Sequence, residues 1–234
     1  MEKSKTIKRM RLVIPAMILC LIGDYCIGIE PADSKKIGDI VSTGWTTISD
    51  IRIMISNIGG MLGTILYAMG AVAFIQRLAA ENIANESKWD SRFLKLFSLG
   101  LWAGIISFIY IHISFGGLIQ HFNVLYDISG GNAEAAAEGL SRMFTVEAVP
   151  FIVMFVLFDG LATIGWAGLV WRRVIDLPKI WILAAPLLTA LIGQILELIP
   201  MPFKGIGSGF ETLGWLLMFV GGIWHIRRSG EEKT

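Results

Sequence analysis

LVIPAMILCLIGDYCIGI, residues 12–29, is an apolar run of eighteen residues with one charge, Asp24. A hydrocarbon core about 30 Å thick is crossed by about 20 helical residues, so this run reads as a membrane-spanning helix. Five more runs follow, at approximately 55–76, 96–119, 148–171, 180–199 and 211–226, each bounded by charge or proline. None shows the inside–outside alternation of a membrane barrel. The expected fold class is all-α: a polytopic membrane helix bundle of six transmembrane helices, forming one integral membrane domain over 1–234.

The composition agrees. Apolar residues make up 54% of the chain and charged ones 17%, against about 25% charged in a soluble domain. That balance excludes a soluble enzyme, a disordered tail and a coiled coil. The net charge of +1 supplies no basic field for nucleic acid. Lys3, Lys5, Lys8, Arg9 and Arg11 precede the first run as they would in a signal peptide. That run lacks an A-x-A cleavage site and contains Pro15 and Asp24, so it is read as a retained span. Cys20 and Cys26 lie on different faces of the same helix, which suits neither a disulfide nor a metal motif.

Orientation follows from the basic residues. With the N-terminus in the cytoplasm, the inner segments hold Lys3, Lys5, Lys8, Arg9, Arg11, Arg77, Lys88, Arg92, Lys95, Arg172, Arg173, Lys179, Arg227, Arg228 and Lys233. The outer ones hold Lys35, Lys36, Arg52, Arg142 and Lys204. This is the positive-inside bias, and it places both termini in the cytoplasm. The outer loops, 30–54 and 120–147, are the long ones. Trp45 is expected at the membrane interface, and 132–138 as a short helix on the outer surface. A weak internal echo relates Leu21-Ile22-Gly23…Pro31 to Leu191-Ile192-Gly193…Pro200, and Gly63…Gly70…Arg77 to Gly214…Gly221…Arg228. Duplication and chance similarity among glycine-rich helices both account for it.

An ionisable group in hydrocarbon costs of order 3 kcal/mol, so the informative residues are those the membrane should exclude. Asp24, His112, Asp159 and Glu197 lie inside runs, and Gln194 shares a helix face with Glu197. In the expected topology Asp24 and His112 lie roughly 8 and 10 Å below the outer boundary, with Asp159 near mid-membrane. Asn57, His121, Glu147 and Glu211 mark the outer ends of their spans. Together these side chains are expected to line an outward-facing pocket for a small or amphipathic molecule: Asp24, His112, Asp159, Gln194 and Glu197 as ligand-binding residues, with Asn57, His121, Glu147 and Glu211 at the rim. Plainer readings stand beside this one. Asp24 is also suited to bonding a neighbouring helix, His112 to bonding a serine or a carbonyl in the core, and Glu197, Glu147 and Glu211 to reaching the headgroups.

Other chemistries fit less well. His112 and His121 fall on opposite sides of one helix and His225 at the inner end, so no metal site is expected. No cofactor is implied. There is no GxSxG motif, and Gly205-Ile206-Gly207-Ser208-Gly209 lacks the strand before it and the Lys after it that a phosphate loop needs. Gly59-x-x-x-Gly63 and Gly100-x-x-x-Gly104 suit close helix contact, within the chain or in a homodimer.

Gly23-Asp24 followed by Gly28-x-x-Pro31, the glycine-rich second span at Gly59-Gly60 and Gly63, and Leu177-Pro178 before a span with Pro186 and ending at Pro200 resemble a family of multi-span bacterial membrane proteins of unknown function. That resemblance covers most of the chain. It implies a multi-pass protein of the bacterial cytoplasmic membrane, surrounded by lipid, and no activity. The Gly23-Asp24 pair alone is also similar to lysoplasmalogenase-type membrane hydrolases, which have more spans. Three readings remain open: a binding or transport protein, a membrane-embedded lipid hydrolase pairing a carboxylate with His112, and a non-catalytic accessory protein.

Overall fold

The computed structural model of the chain describes residues 2–37, 41–82 and 87–229, apart from the side chains of Asn82 and Glu147. The architecture is all-α. The α-helices are α1 (Lys3–Met10), α2 (Val13–Gly28), α3 (Asp50–Asn82), α4 (Lys88–Ile128), α5 (Ala133–Phe155), α6 (Leu161–Trp171), α7 (Pro186–Leu196) and α8 (Phe210–Arg228). Among the described residues, five helical stretches are long and apolar enough to cross a membrane: Lys3–Gly28, Asp50–Glu81, Lys88–Ile128, Ala148–Trp171 and Ile206–Arg228.

The run at 180–199 departs from expectation. Lys179–Ala184 is a 3-10 turn, and α7 has only 11 residues, about 17 Å of helix. Pro186 is the reason. Its ring forces the preceding residue out of helical geometry, and Ala185 is extended at ψ 138°. The segment nevertheless runs beside α8. The Asp176 N–H donates to Nδ1 of His225, near the C-terminus of α8, at 3.0 Å. The Glu197 carboxylate accepts from the Gly205 and Gly207 N–H groups ahead of its N-terminus.

The two ends of the bundle are tied differently. At the loop end, Arg52 on α3 donates from Nε to the Cys26 carbonyl at 2.7 Å and from Nη2 to the Ile29 carbonyl at 2.6 Å. A cation thus satisfies carbonyls that the end of α2 leaves open. Beside it, strand β1 (Glu30–Pro31) pairs antiparallel with the strand Phe203–Lys204. At the terminal end, Lys3 Nζ donates to the Arg227 carbonyl at 2.6 Å, and Arg172 pairs with Asp90 and donates to Ser87 Oγ at 3.0 Å.

The polar interhelical loop at 120–147 is not built as expected. Helix α4 has 41 residues, about 60 Å, twice the thickness of a hydrocarbon core. It turns through Gly130 (φ 68°) and Gly131 (φ 86°) into α5, whose first turn is capped by Asn132 Oδ1 accepting from the Ala135 N–H at 3.1 Å. The helix foreseen at 132–138 is therefore the start of a continuous one. Apolar residues of the two arms, including Leu118, Phe122 and Leu140, close over Val41, Trp45 and Ile48 as a second core beyond the main bundle. Trp45 is buried there, edge-on to Phe115 and Phe122 at 6.0 and 5.8 Å. It is not an interfacial anchor, because this cap encloses it.

The glycine faces meet other helices of the same chain. A Cβ at Gly63 would collide with Cys20 and Ala16 of α2, and one at Gly100 would lie 2.5 Å from the Ala162 nitrogen of α6. Their small size is used in internal packing. Aromatic side chains fill the middle of the main core: Tyr67, Phe74, Phe97, Phe108, Phe158, Trp166, Trp215 and Phe219.

Candidate functional site

A cavity of about 260 Å³ opens in the loop-end third of the bundle, between α2, α4 and α8. Asp24, His112, Glu211 and Thr212 supply its polar lining, and Ile27, Phe108, Ile111 and Phe115 its apolar lining, with the exposed Ser208 at the edge.

Helical spacing brings the polar groups together. Asp24 lies one turn before the end of α2, and Glu211 and Thr212 lie in the first turn of the antiparallel α8. Thr212 Oγ1 donates to Asp24 Oδ2 at 2.6 Å. His112 enters from α4, and its Nε2 stands 3.7 Å from Asp24 Oδ1, beyond a good hydrogen bond but within ion-pair range. Its Nδ1 is bonded to Ser56 Oγ of α3 at 3.0 Å. Gly23 and Gly60 leave room for the imidazole, since a Cβ at either would press on the ring. The plainer reading of His112, a core histidine bonded to a serine, is thus part of the geometry. Its other nitrogen faces the cavity acid.

Asp159 lies one layer deeper and does not line the cavity. It sits on a π-helical turn, Val156–Gly160, that joins α5 to α6. Such turns carry one residue more than an α-turn and recur at functional sites. Asp159 is fully buried, and its Oδ1 accepts from Trp215 Nε1 at 2.9 Å. Its Oδ2 is buried without a hydrogen-bond partner among the described residues, and Glu211, which lies one α8 turn before Trp215 and lines the cavity, is within electrostatic reach of it. Glu211 further lies within electrostatic reach of Asp24. It is therefore central to the site, where the sequence suggested a rim. Below this level, Phe158 stacks on Trp215 at 4.3 Å, Phe108 meets Phe158 edge-on at 4.7 Å, and Tyr67 meets Phe108 at 4.9 Å. These rings form an aromatic floor on the terminal side.

The remaining candidates lie elsewhere. Glu197 caps the Gly205–Gly207 loop, its carboxyl oxygens accepting from those backbone N–H groups, and it does not line the cavity. Gln194 is exposed on α7. Asn57 packs against Gly116, outside the cavity lining. His121 is exposed and bonds the Gly117 carbonyl of its own helix through Nδ1 at 2.7 Å. The Glu147 side chain lies outside the described residues. Among the described residues, no group of three or more His, Cys, Asp or Glu is placed to hold a metal ion. Ser56, Thr212 and Trp215 are partners that the count of ionisable groups does not reach. For Trp215 the i, i+4 spacing from Glu211 was the available signal.

Residues 1–229 match the family of unknown function DUF6796. The chain belongs to that family. No curated protein and no solved structure matches it. In this DUF6796 protein the motif residues Gly23 and Asp24 stand at the cavity, Gly23 making room for His112 and Asp24 supplying a lining carboxyl.

Proposed function

We propose that the protein is a multi-pass membrane protein that binds a small amphipathic molecule carrying an amine in the loop-end cavity, as a step in moving it across the membrane. The observation that carries this reading is the imbalance of the lining: Asp24 and Glu211 face the cavity, Asp159 backs them, and no Lys or Arg among the described residues lines it. Buried carboxyls without a cationic partner are costly, and an ammonium ligand offsets that cost. Phe108 and Phe115 offer ring faces and edges to the apolar part of such a ligand. A volume of 260 Å³ holds about nine waters, hence a ligand of similar heavy-atom count. The aromatic floor closes the terminal side, as alternating access requires of a one-sided state.

The topology that serves this role has six crossings, with the 179–196 segment as the sixth, both termini in the cytoplasm and one integral membrane domain. It is supported by the anchoring of that segment at both ends of α8 and by the lysine and arginine bias. In a bacterial cytoplasmic membrane the cavity would then open outward.

A second reading is a lipid hydrolase in which His112, paired with Asp24, activates water in the cavity. The 3.7 Å His112–Asp24 approach favours it. Ser56 is no nucleophile in this scheme, because its hydroxyl is fully buried and does not line the cavity.

The test is thermal protection of the purified protein by phenethylamine, with 2-phenylethanol as its uncharged match in size. Saturable protection by the amine alone, lost in Asp24→Asn and in Glu211→Gln, is the expected result. Equal protection by both compounds, or protection retained in both variants, contradicts the proposal.

A further inference from the structure

A second concavity lies on the outside of the bundle at the terminal end. It is a groove of about 770 Å³ between the start of α4, the face of α6 and the 182–188 segment. Its walls are Phe93, Ile164, Ala167, Trp171, Ile182 and Leu188, almost wholly apolar. It follows α6 from Thr163 to Arg172, about 13 Å along the helix axis. Ile164, Trp89 and Trp171 are 52%, 56% and 62% exposed, so none of the described residues fills it.

The rim decides what suits it. Arg172 lines the groove at its terminal edge. Lys179 Nζ sits 3.8 Å from the centre of the Trp171 ring, and Arg92 Cζ sits 4.9 Å from that of Trp89. Both rings line the groove, so the two cations are held at its mouth. Segments 87–95 and 171–180 together carry Lys88, Arg92, Lys95, Arg172, Arg173 and Lys179 against Asp90 and Asp176. One of those acids, Asp90, is taken by Arg172. An apolar slot running towards the membrane interior beneath a basic, tryptophan-flanked mouth complements an anionic amphiphile with its charge at the interface.

We propose that this groove is a binding site for one acyl chain of an anionic phospholipid, with the headgroup phosphate on Arg92 and Lys179. The site is separate from the loop-end cavity and does not depend on what that cavity binds. It would also seat the 179–188 segment against α6, where the helix is interrupted at Pro186 and a lipid chain replaces the packing that a full-length helix would have supplied.

The test is lipid retention measured by native mass spectrometry of the detergent-purified protein, titrated with dioleoyl phosphatidylglycerol or dioleoyl phosphatidylcholine. Wild type is expected to retain the anionic phosphatidylglycerol at least fivefold better than the zwitterionic phosphatidylcholine. The rim variant Arg92→Gln with Lys179→Gln, both at exposed positions, is expected to lose that preference. Ala167→Trp, which fills the groove, is expected to lose retention of both lipids while the protein stays folded. If Ala167→Trp does not fold, the rim variant decides alone. Equal retention of the two lipids by wild type, an unchanged preference in the rim variant, or a wild-type dimer that Ala167→Trp converts to a lipid-free monomer overturns the proposal.

Discussion

Trp215 Nε1 donates to Asp159 Oδ1 at 2.9 Å, joining α8 to the π-helical turn in the fully buried centre of the bundle. The bond fixes the deepest acid and the largest ring of the aromatic floor in one geometry. Trp215→Phe removes the donor and keeps most of the apolar bulk. The expected loss is about 1–3 kcal/mol, the usual cost of stranding a buried polar atom. Asp159→Leu in the Trp215→Phe background should recover part of it, because the carboxyl stranded by the loss of the indole N–H is then gone. Apparent melting temperatures of the single and double variants in one detergent provide the check, and a double variant less stable than the single one would refute the reading.

Close helix contact gives a sharper contrast. A Cβ at Gly100 would lie 2.5 Å from the Ala162 nitrogen and 2.8 Å from its Cα, both backbone atoms that cannot swing aside. At Gly117, on the same helix, a Cβ meets nothing within 4 Å. Gly100→Val should therefore abolish monodisperse expression. Gly117→Ala should be neutral or stabilising by up to about 1 kcal/mol, through helix propensity alone. Size-exclusion profiles with thermal melts of the two variants distinguish these outcomes.

The Arg52 clamp predicts local rather than global loosening. Arg52→Met leaves the Cys26 and Ile29 carbonyls without their guanidinium partner. Amide exchange over 24–30 should rise about tenfold, equivalent to ~1.4 kcal/mol, while exchange in α6 stays unchanged. Uniform acceleration along the chain would show that the clamp is not a local device.

Topology is testable by labelling. In a background with Cys20→Ala and Cys26→Ala, Ser208→Cys at the cavity edge should react with a membrane-impermeant maleimide in intact cells. Ser229→Cys, after the end of α8, should react only once the cells are opened. The reverse pattern would invert the proposed orientation, and equal reactivity of both before opening would contradict α8 as a crossing.

Hydropathy made five of the six apolar stretches legible as long helices, because continuous burial in oil leaves a simple signature. It misjudged 180–199, where composition is right but Pro186 breaks the backbone, so length in residues overstated length in helix. It also stopped α4 near 119, because Gln120, His121, Asn123 and Asp127 interrupt the apolar run while Phe122 and its neighbours still pack into the cap. The site was legible to the extent that it consists of costly groups. Asp24, His112 and Glu211 were visible as ionisable groups in or beside hydrocarbon, and they meet. Glu197 belonged to the same set by composition, yet its carboxylate is spent on a glycine loop folded back upon it, a contact between chain segments that spacing does not encode. Ser56 and Thr212 carry no charge, and hydroxyls are common in apolar helices, so nothing in the sequence separated them from their neighbours.

The most direct test of the cavity's role is the position of a bound amine. A density map of the protein with 4-bromophenethylamine should place the nitrogen between Asp24 and Glu211, with the bromine-marked ring against Phe108 and Phe115. A map in which the bromine lies only on the lipid-facing surface, with the cavity unchanged, would contradict the account.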